Sequence, residues 1–295
     1  MNRNRKNGLW LLLAFLCLLG LAIVFFGNAP VNPERARSAP GGPAGELTVT
    51  CLNVGHGDCT VLQQGGEVGM IDTGPAAAYG TVSSFLESGG VRTITFLMLT
   101  HFDADHIGSA VELLETYPVE TVLIPDYESR KPGYAPLMEV LAHHADVRAI
   151  SRNTVYDWGG ASLRLYPAAQ SEAYRSEDAD YDNNMSLVCL LTFGENRLLF
   201  TGDAENARLN ELIGSGEDWS CDWIKMPHHG DSEKKTGVFL KKASPAYAVI
   251  SCSAAEGPEE DTAQYLRKKK IEQFLTSWGN VATICTGEEL QVRYR

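Results

Sequence analysis

Side chains that bind metals cluster where apolar strands end, and this feature constrains the fold of the chain more than any other. The apolar run that ends at Leu99 is followed by Thr-His-Phe-Asp-Ala-Asp-His, which places four potential ligands within residues 101–106. If the chain leaves the strand extended, alternate side chains point the same way, and a turn at the end of the segment adds the last histidine. Because carboxylates this close repel one another without a cation, the segment predicts a metal site.

Two later segments have the same form, an apolar strand that ends in a ligand-type residue. Leu-Leu-Phe-Thr-Gly-Asp ends at Asp203, where the glycine lets the backbone turn, and Trp-Ile-Lys-Met-Pro-His-His-Gly carries His228 and His229. Each segment alone is weak evidence, because Thr-Gly-Asp is a common turn and histidine pairs occur in polar loops. In this order after the first segment, they indicate one site that three strand ends share.

An uncharged apolar stretch, residues 9–26, follows three basic residues near the N-terminus. Its length is close to the lower limit for a helix that crosses a hydrocarbon core of about 30 Å. We predict a signal anchor, a transmembrane helix over 1–27, with its basic flank in the cytoplasm and the rest of the chain outside. A cleaved signal peptide is the alternative and would make the protein secreted; prolines after Ala29 and Ala39 disfavour it.

The remainder divides into a linker and one domain. Residues 28–46 are rich in proline and glycine with almost no large apolar side chain, which predicts a flexible linker. Residues 47–295 are enough for one large domain. Their six cysteines include no Cys-x-x-Cys pair, so we assume no disulfide.

The formal net charge of −12 at pH 7 argues against a protein that holds nucleic acid through a broad positive field.

Short apolar runs separated by glycines predict strands at the start of this domain, after which strands and helices alternate. The pattern favours an α/β (α+β) fold with two β-rich halves and helices packed outside them. We expect helices near 83–88, 111–115, 137–145 and 238–242, and one that ends at 267–270.

Six ordered motifs make the domain similar to the metallo-β-lactamase-fold hydrolases over residues 47–295. Within that family they resemble the ComEC/Rec2-like branch, which contains the hydrolase domain of DNA-uptake proteins, and the secreted phosphorylcholine esterases. The resemblance implies a four-layer αββα sandwich, preceded here by the transmembrane helix, with the site at one edge. The motifs are Asn-Val-Gly-His-Gly-Asp at 53–58, Ile-Asp-Thr-Gly at 71–74, the segment 101–106, Asn-Asn-Met-Ser-Leu at 183–187, Thr-Gly-Asp at 201–203 and Pro-His-His-Gly at 227–230.

The resemblance also implies two divalent metal ions and a role for each motif residue. The metal ligands it implies are His101 and Asp103 on the first ion, Asp105 and His106 on the second, Asp203 bridging both, and His229, favoured over its neighbour, completing the second site. His228 is then the expected proton donor or phosphate contact. Asp105 is expected to orient the attacking water.

Two departures from the family pattern affect this assignment. Asn183 and Asn184 stand where most members have a histidine, and as poorer ligands they are candidates for either metal or substrate contact. Asp103 stands where many members have a histidine, which widens the choice of metal to Zn, Mn or Fe, with Zn or Mn favoured. We expect His56, Asp58 and Asp72 to lie behind the ligands. There they either hold the ligands by hydrogen bonds or merely form turns.

These features predict an extracellular, membrane-tethered, metal-dependent hydrolase of phosphoesters that uses a hydroxide shared by the two cations. Its substrate would be a small-molecule or cell-wall phosphodiester. A ComEC-like nuclease that acts on DNA during uptake is an alternative, although the negative charge and the absence of a late histidine of that branch count against it. A surface binding protein with a vestigial site is a third. Nothing in the sequence indicates a protein partner.

Overall fold

The computed structural model describes residues 45–169, Tyr174 and 181–295, and its strands form two sheets that face each other. The first sheet consists of β1 (Leu47–Cys51), β2 (Thr60–Gln64), β3 (Glu67–Ile71), β4 (Ile94–Met98), β5 (Val119–Pro125), β6 (Val147–Ile150), β14 (Val281–Cys285) and β15 (Leu290–Tyr294). The second consists of β7 (Thr154–Trp158), β8 (Ala161–Tyr166), β9 (Val188–Phe193), β10 (Asn196–Phe200), β11 (Trp223–Lys225), β12 (Tyr247–Ile250) and β13 (Glu272–Leu275).

Each sheet combines an antiparallel part with a parallel part. The strand order is β15-β14-β1-β2-β3-β4-β5-β6 in the first sheet and β13-β12-β11-β10-β9-β8-β7 in the second. Strands β3 to β6 run parallel to one another, and so do β10 to β13. The carboxyl ends of parallel strands meet at one edge of a sheet, where ligands commonly bind.

Helices connect the parallel strands. The α-helices of the described residues are α1 (Tyr79–Ser88), α2 (Ala104–Ile107), α3 (Ala110–Thr116), α4 (Tyr134–Leu141), α5 (Tyr181–Asn184), α6 (Asn206–Gly214), α7 (Thr236–Ala243) and α8 (Glu260–Lys269). Short 3-10 turns cover Ala76–Ala78, Pro227–Gly230 and Thr276–Trp278. All these elements lie in one compact unit, Gly42–Arg295.

Alternation along the strands divides the interior into three apolar layers. Phe96 and Met98 of β4 face the second sheet, whereas Leu97 packs under α1, α3 and α4. In β10, Phe200 faces the first sheet and Leu199 packs under α6, α7 and α8. Because successive side chains of a strand point to opposite faces, these continuous apolar runs are buried on both sides. The predicted αββα sandwich is confirmed.

The residues before this domain are described only in part. In the described portion of the chain no helix is both long enough and apolar enough to cross a membrane. The predicted transmembrane helix at 1–27 lies outside the described residues, as does almost all of the linker at 28–46. The six cysteines of the domain are buried and unbridged.

Candidate metal centre

Asp203 lies at the centre of a group of imidazoles and carboxylates at one edge of the sandwich. Its Oδ2 lies 3.1 Å from His106 Nε2, 3.2 Å from His229 Nε2 and 3.9 Å from His101 Nε2. Asp105 Oδ2 lies 3.1 Å from the same His229 nitrogen. One ligand atom each from Asp105, His106, Asp203 and His229 lie within 4.8 Å of one another. The three strand ends indicated by the sequence do meet.

The three strand ends come from both sheets. β4 of the first sheet leads into His101 and α2, while β10 and β11 of the second sheet lead to Asp203 and to the turn Pro227–Gly230. A hydrogen bond from Leu187 N to Thr100 O at 2.8 Å joins the two halves at this edge, and Asp203 N donates to Ser186 Oγ at 3.0 Å within the second half. The site therefore depends on the docking of the two sheets.

The turn that carries the two histidines has an uncommon backbone. His228 and His229 have φ values of 45° and 52°. These values lie in the left-handed region, which is uncommon for residues other than glycine. Such conformations persist where the surroundings impose them, often at functional sites. Here they turn the His229 side chain inward, where it is 2% exposed.

Asp72 lies behind His106. Its Oδ2 lies 2.8 Å from His106 Nδ1, and its carboxylate also accepts hydrogen bonds from Thr100 N at 2.8 Å and Thr100 Oγ1 at 2.7 Å. Asp72 is a further left-handed residue, with φ of 57°. A carboxylate that accepts a hydrogen bond from one imidazole nitrogen orients the ring so that the other nitrogen can bind a metal. The sequence analysis expects Asp72 in such a position.

Asp58 and His56 flank His229. The buried Lys225 Nζ lies 2.7 Å from Asp58 Oδ2, and Asp58 Oδ1 lies 3.7 Å from His229 Nδ1. His229 Nδ1 itself donates to the Ser251 carbonyl at 3.0 Å. His56 lies on the outer side, with its ring centroid 4.2 Å from that of His229. Asp58 thus lies behind the ligands, whereas His56 covers one of them.

The imidazoles and carboxylates of this group shift one another's pKa. Burial lowers the pKa of His229, but Asp203 and the hydrogen bond to Asp105 raise it more, to about 10. Burial also lowers the pKa of His106, but Asp203 and Asp72 raise it by more, so it lies well above its usual value. The pKa of Asp203 lies well below its usual range because His106 and His229 outweigh the effect of burial. The carboxylates and the protonated imidazoles of this group therefore stabilise one another's charge.

Two buried atoms indicate that the residues fit divalent cations. Among the described residues, His101 Nε2 and Asp203 Oδ1 have no hydrogen-bond partner, although both side chains are almost fully buried. Burial and the neighbouring His106 lower the pKa of His101 to about 3, so its ring is neutral and offers a lone pair. Neutral imidazoles and carboxylates are ligands for Zn²⁺ and Mn²⁺.

The residues expected on the first ion are less closely grouped. Asp103 Oδ2 lies 2.8 Å from Lys131 Nζ, and Asp103 has no part in the four-residue group. Asn184 Oδ1 accepts from Arg208 N at 2.9 Å, at the start of α6. Asn183 donates from Nδ2 to Glu205 Oε1 at 2.9 Å. The structure thus gathers the expected ligands of the second ion, with His101 nearby, more tightly than those of the first.

Sequence reasoning missed three charged residues of this region: Lys131, Glu205 and Lys225. Lys225 had a visible signal, because a charged residue inside the apolar run Trp-Ile-Lys-Met needs a buried partner. Glu205 follows Asp203 by two positions, but no pattern shows that it contacts Asn183 and Asn184. Lys131 lies in a loop without a motif.

Comparisons with known proteins agree with this geometry. Residues 52–168 match the family model described as the metallo-beta-lactamase superfamily. The chain is 25% identical over 255 residues to ComE operon protein 3 of Bacillus subtilis (strain 168), which covers 78% of this chain and 32% of that protein. It is 27% identical over 239 residues to competence protein ComA of Neisseria gonorrhoeae, covering 79% and 31%. The chain therefore spans about a third of the length of the curated relatives it matches.

Among solved structures, the metallo-beta-lactamase fold protein YhfI from Bacillus subtilis superposes with a TM-score of 0.52 at 12% identity, covering 78% of this chain and 96% of that one. This likeness shows the fold. The chain therefore has the metallo-β-lactamase fold, and residues 52–168 match the model of that superfamily. The competence proteins support the ComEC/Rec2-like branch that the sequence motifs resemble.

Proposed function

We propose that the domain hydrolyses phosphodiesters with the help of two divalent metal ions, Zn or Mn. The observation that carries this proposal is the convergence of Asp105, His106, Asp203 and His229 within 4.8 Å at the junction of two sheets. His101 extends the group, since its Nε2 lies 3.9 Å from Asp203 Oδ2. The match to the metallo-beta-lactamase superfamily model supports a hydrolase.

The proposed roles of the residues follow from how deeply each side chain is buried. When bound, divalent cations lower the pKa of water and polarise a phosphoryl oxygen. His101, His106, Asp203 and His229 are buried and would hold the cations. Asp105 is the most open member, with a side chain 29% exposed. Burial raises its pKa, but the hydrogen bond to His229 and the proximity of His106 lower the pKa by a larger amount, so Asp105 is ionised. It would accept a hydrogen bond from the attacking water and orient it.

His228 stands beside this group, with its ring centroid 6.2 Å from that of His229. Its side chain is 25% exposed, so a substrate can reach it. In the proposed reaction it contacts the phosphate or supplies the proton that the leaving oxygen takes up.

The test is hydrolysis of bis(4-nitrophenyl) phosphate by the purified protein. We expect activity to be lost after chelation and restored by Mn²⁺ or Zn²⁺. Asp203→Asn should lower kcat/KM at least about 100-fold and not respond to added metal, because even residues that only support metal ligands are worth about 10–100-fold. Asp157→Asn, at an exposed strand position, is the matched control and should behave as the wild type. Activity that survives both chelation and Asp203→Asn would exclude the proposal.

A nuclease is the second candidate, favoured by the likeness to the two competence proteins. The formal net charge of −12 weighs against tight binding of a polyanion. The two candidates differ in their response to salt. Cleavage of single-stranded DNA that falls steeply with ionic strength would favour the nuclease, whereas salt-insensitive hydrolysis of a small ester favours a small-molecule or cell-wall substrate.

The proposed location follows from residues outside the described part of the chain. We propose that residues 1–27 anchor the protein in the membrane and that 28–46 link the anchor to a catalytic domain outside the cell. Cleavage after the apolar segment would instead release the domain. Membrane fractionation of the full chain distinguishes the two outcomes.

A further inference from the structure

A second group of potential metal ligands lies beside the proposed catalytic centre. Glu205, His228 and Glu233 each offer a ligand atom, and these atoms lie within 4.8 Å of one another. The group shares no residue with Asp105, His106, Asp203 and His229. Glu205 lies in the segment after β10, His228 in the Pro227–Gly230 turn, and Glu233 in the loop between that turn and α7.

The spacing of these atoms suits a cation. His228 Nδ1 lies 3.8 Å from Glu205 Oε1 and 3.8 Å from Asp231 Oδ2. Two ligands that share a tetrahedral Zn²⁺ at about 2.0–2.1 Å are about 3.3–3.5 Å apart, so small side-chain rotations would be enough. Glu205 and His228 are only 12% and 25% exposed, and carboxylates this close repel one another unless a cation neutralises them.

Asn183 lies against this group. It is 4% exposed, and its Nδ2 lies 2.9 Å from Glu205 Oε1 and 3.3 Å from His228 Nε2. Its amide oxygen has no hydrogen-bond partner among the described residues, and neither does His228 Nδ1. A buried polar atom without a partner is unfavourable, and His228 Nδ1 is such an atom that faces the carboxylates of Glu205 and Asp231.

We propose that Glu205, His228 and Glu233 form an additional divalent-cation site, separate from the catalytic centre, with Asp231 as a fourth oxygen donor. Imidazole combined with carboxylates suits Zn²⁺ or Mn²⁺. His228 binds the cation through Nδ1, which replaces the proton-donor or phosphate-contact role considered for it above. A half-turn of the Asn183 amide, whose oxygen and nitrogen are nearly equivalent in shape, then lets its oxygen accept the Nε2–H of His228.

The same rearrangement leaves each oxygen of Glu205 with a partner. Glu205 Oε1 exchanges the Asn183 amide for the cation, while Glu205 Oε2 keeps its hydrogen bond from Asn184 Nδ2 at 3.2 Å. Histidine ligands commonly donate their other N–H to an oxygen in this way. The cation would also turn an acidic wall beside the catalytic centre into a surface that attracts phosphoesters. The site exists whether or not the proposed hydrolysis does.

Metal content of the purified full chain tests the site. After equilibrium dialysis against Zn²⁺ or Mn²⁺, Glu233→Gln should bind one ion fewer per chain, or bind it at least about tenfold more weakly, than the wild type. Asp203→Asn should lose ions from the catalytic centre and retain this one. Glu260→Gln, at an exposed helix position, is the control and should match the wild type. Unchanged stoichiometry and affinity in Glu233→Gln would overturn the proposal.

A second measurement observes His228 directly and leaves the residues of this site unsubstituted. In protein labelled with ¹⁵N-histidine, saturating Zn²⁺ should shift His228 Nδ1 to a metal-bound value and leave Nε2 protonated. The Asp203→Asn variant should show the same shift, which separates this site from the catalytic centre. A His228 ring whose nitrogens do not respond to Zn²⁺ would contradict the assignment.

Discussion

At the scale of single residues, the metal centre is a set of mutually neutralising charges. Asp203 stabilises the protonated forms of His106 and His229, which raises the pKa of both, to about 10 in His229. In metal-stripped protein at neutral pH these two imidazoles therefore carry protons that a cation must displace. The reverse holds for His101, whose pKa is lowered to about 3 and which can bind without losing a proton.

Metal binding should consequently release protons. At pH 7 we expect at least one proton per bound cation, and an apparent affinity that rises with pH toward about 10, where His229 deprotonates. Because the folded pKa of His229 exceeds its unfolded value, its contribution to the stability of metal-stripped protein is complete below about pH 6.5 and is lost as the pH rises through about 10. Calorimetric titration in two buffers of different ionisation enthalpy measures the release, and an identical heat in both buffers would contradict it.

The sequence predicts some of these residues and not others, for a physical reason. Asp105, His106, Asp203 and His229 could be predicted because each lies in a short motif a few residues after an apolar strand. Lys225 and Asp58 form a buried ion pair, yet Lys225 belongs to β11 and Asp58 to the segment between β1 and β2, and no local pattern relates them. The roles assigned to individual ligands stay predictions, and the Lys131 ion pair of Asp103 was not foreseen.

At the scale of elements, the ligands depend on short segments that hold strand ends together. α2 carries Asp105 and His106, and Gly108 follows it directly. A Cβ on Gly108 would lie 2.3 Å from Ala76 N and 2.4 Å from Ala104 O. Backbone atoms cannot move aside as a flexible side chain can, so this glycine permits the close approach of α2 to the segment after β3.

Gly108→Ala should therefore destabilise the protein by about 1–3 kcal/mol, the usual cost of overpacking, and weaken metal binding. Gly80→Ala is the matched control, because a Cβ there meets nothing within 4 Å and Gly80 lies in helix α1. It should be neutral or stabilise by up to about 1 kcal/mol. Urea unfolding followed by circular dichroism measures both, and equal stability of the two variants would refute the packing argument.

Strong periodicity made most elements predictable, but not all. The helices expected near 83–88, 111–115 and 238–242 are present as α1, α3 and α7, each longer than expected. Helix α6 was missed because only a few apolar residues, such as Leu209 and Leu212, mark its buried face. The turn expected at the end of the segment 101–106 is instead the short helix α2.

At the scale of the whole molecule, the centre joins two sheets that hold their own cores. The apolar layer between the sheets takes Phe96 from one and Phe200 from the other, and the ligands continue that contact at its edge. Composition and periodicity predicted two β-rich halves, whereas the sandwich itself was predicted only through the order of the family motifs. Periodicity cannot show which strand ends meet, because that depends on tertiary packing.

We propose above all that strand ends from both sheets hold divalent cations at one edge of the sandwich. Anomalous diffraction from crystals grown with Mn²⁺ or Zn²⁺ tests it most directly. We predict a strong anomalous peak in contact with Asp203, His106 and His229. Well-diffracting crystals in saturating metal whose anomalous map is flat among these side chains would contradict the claim.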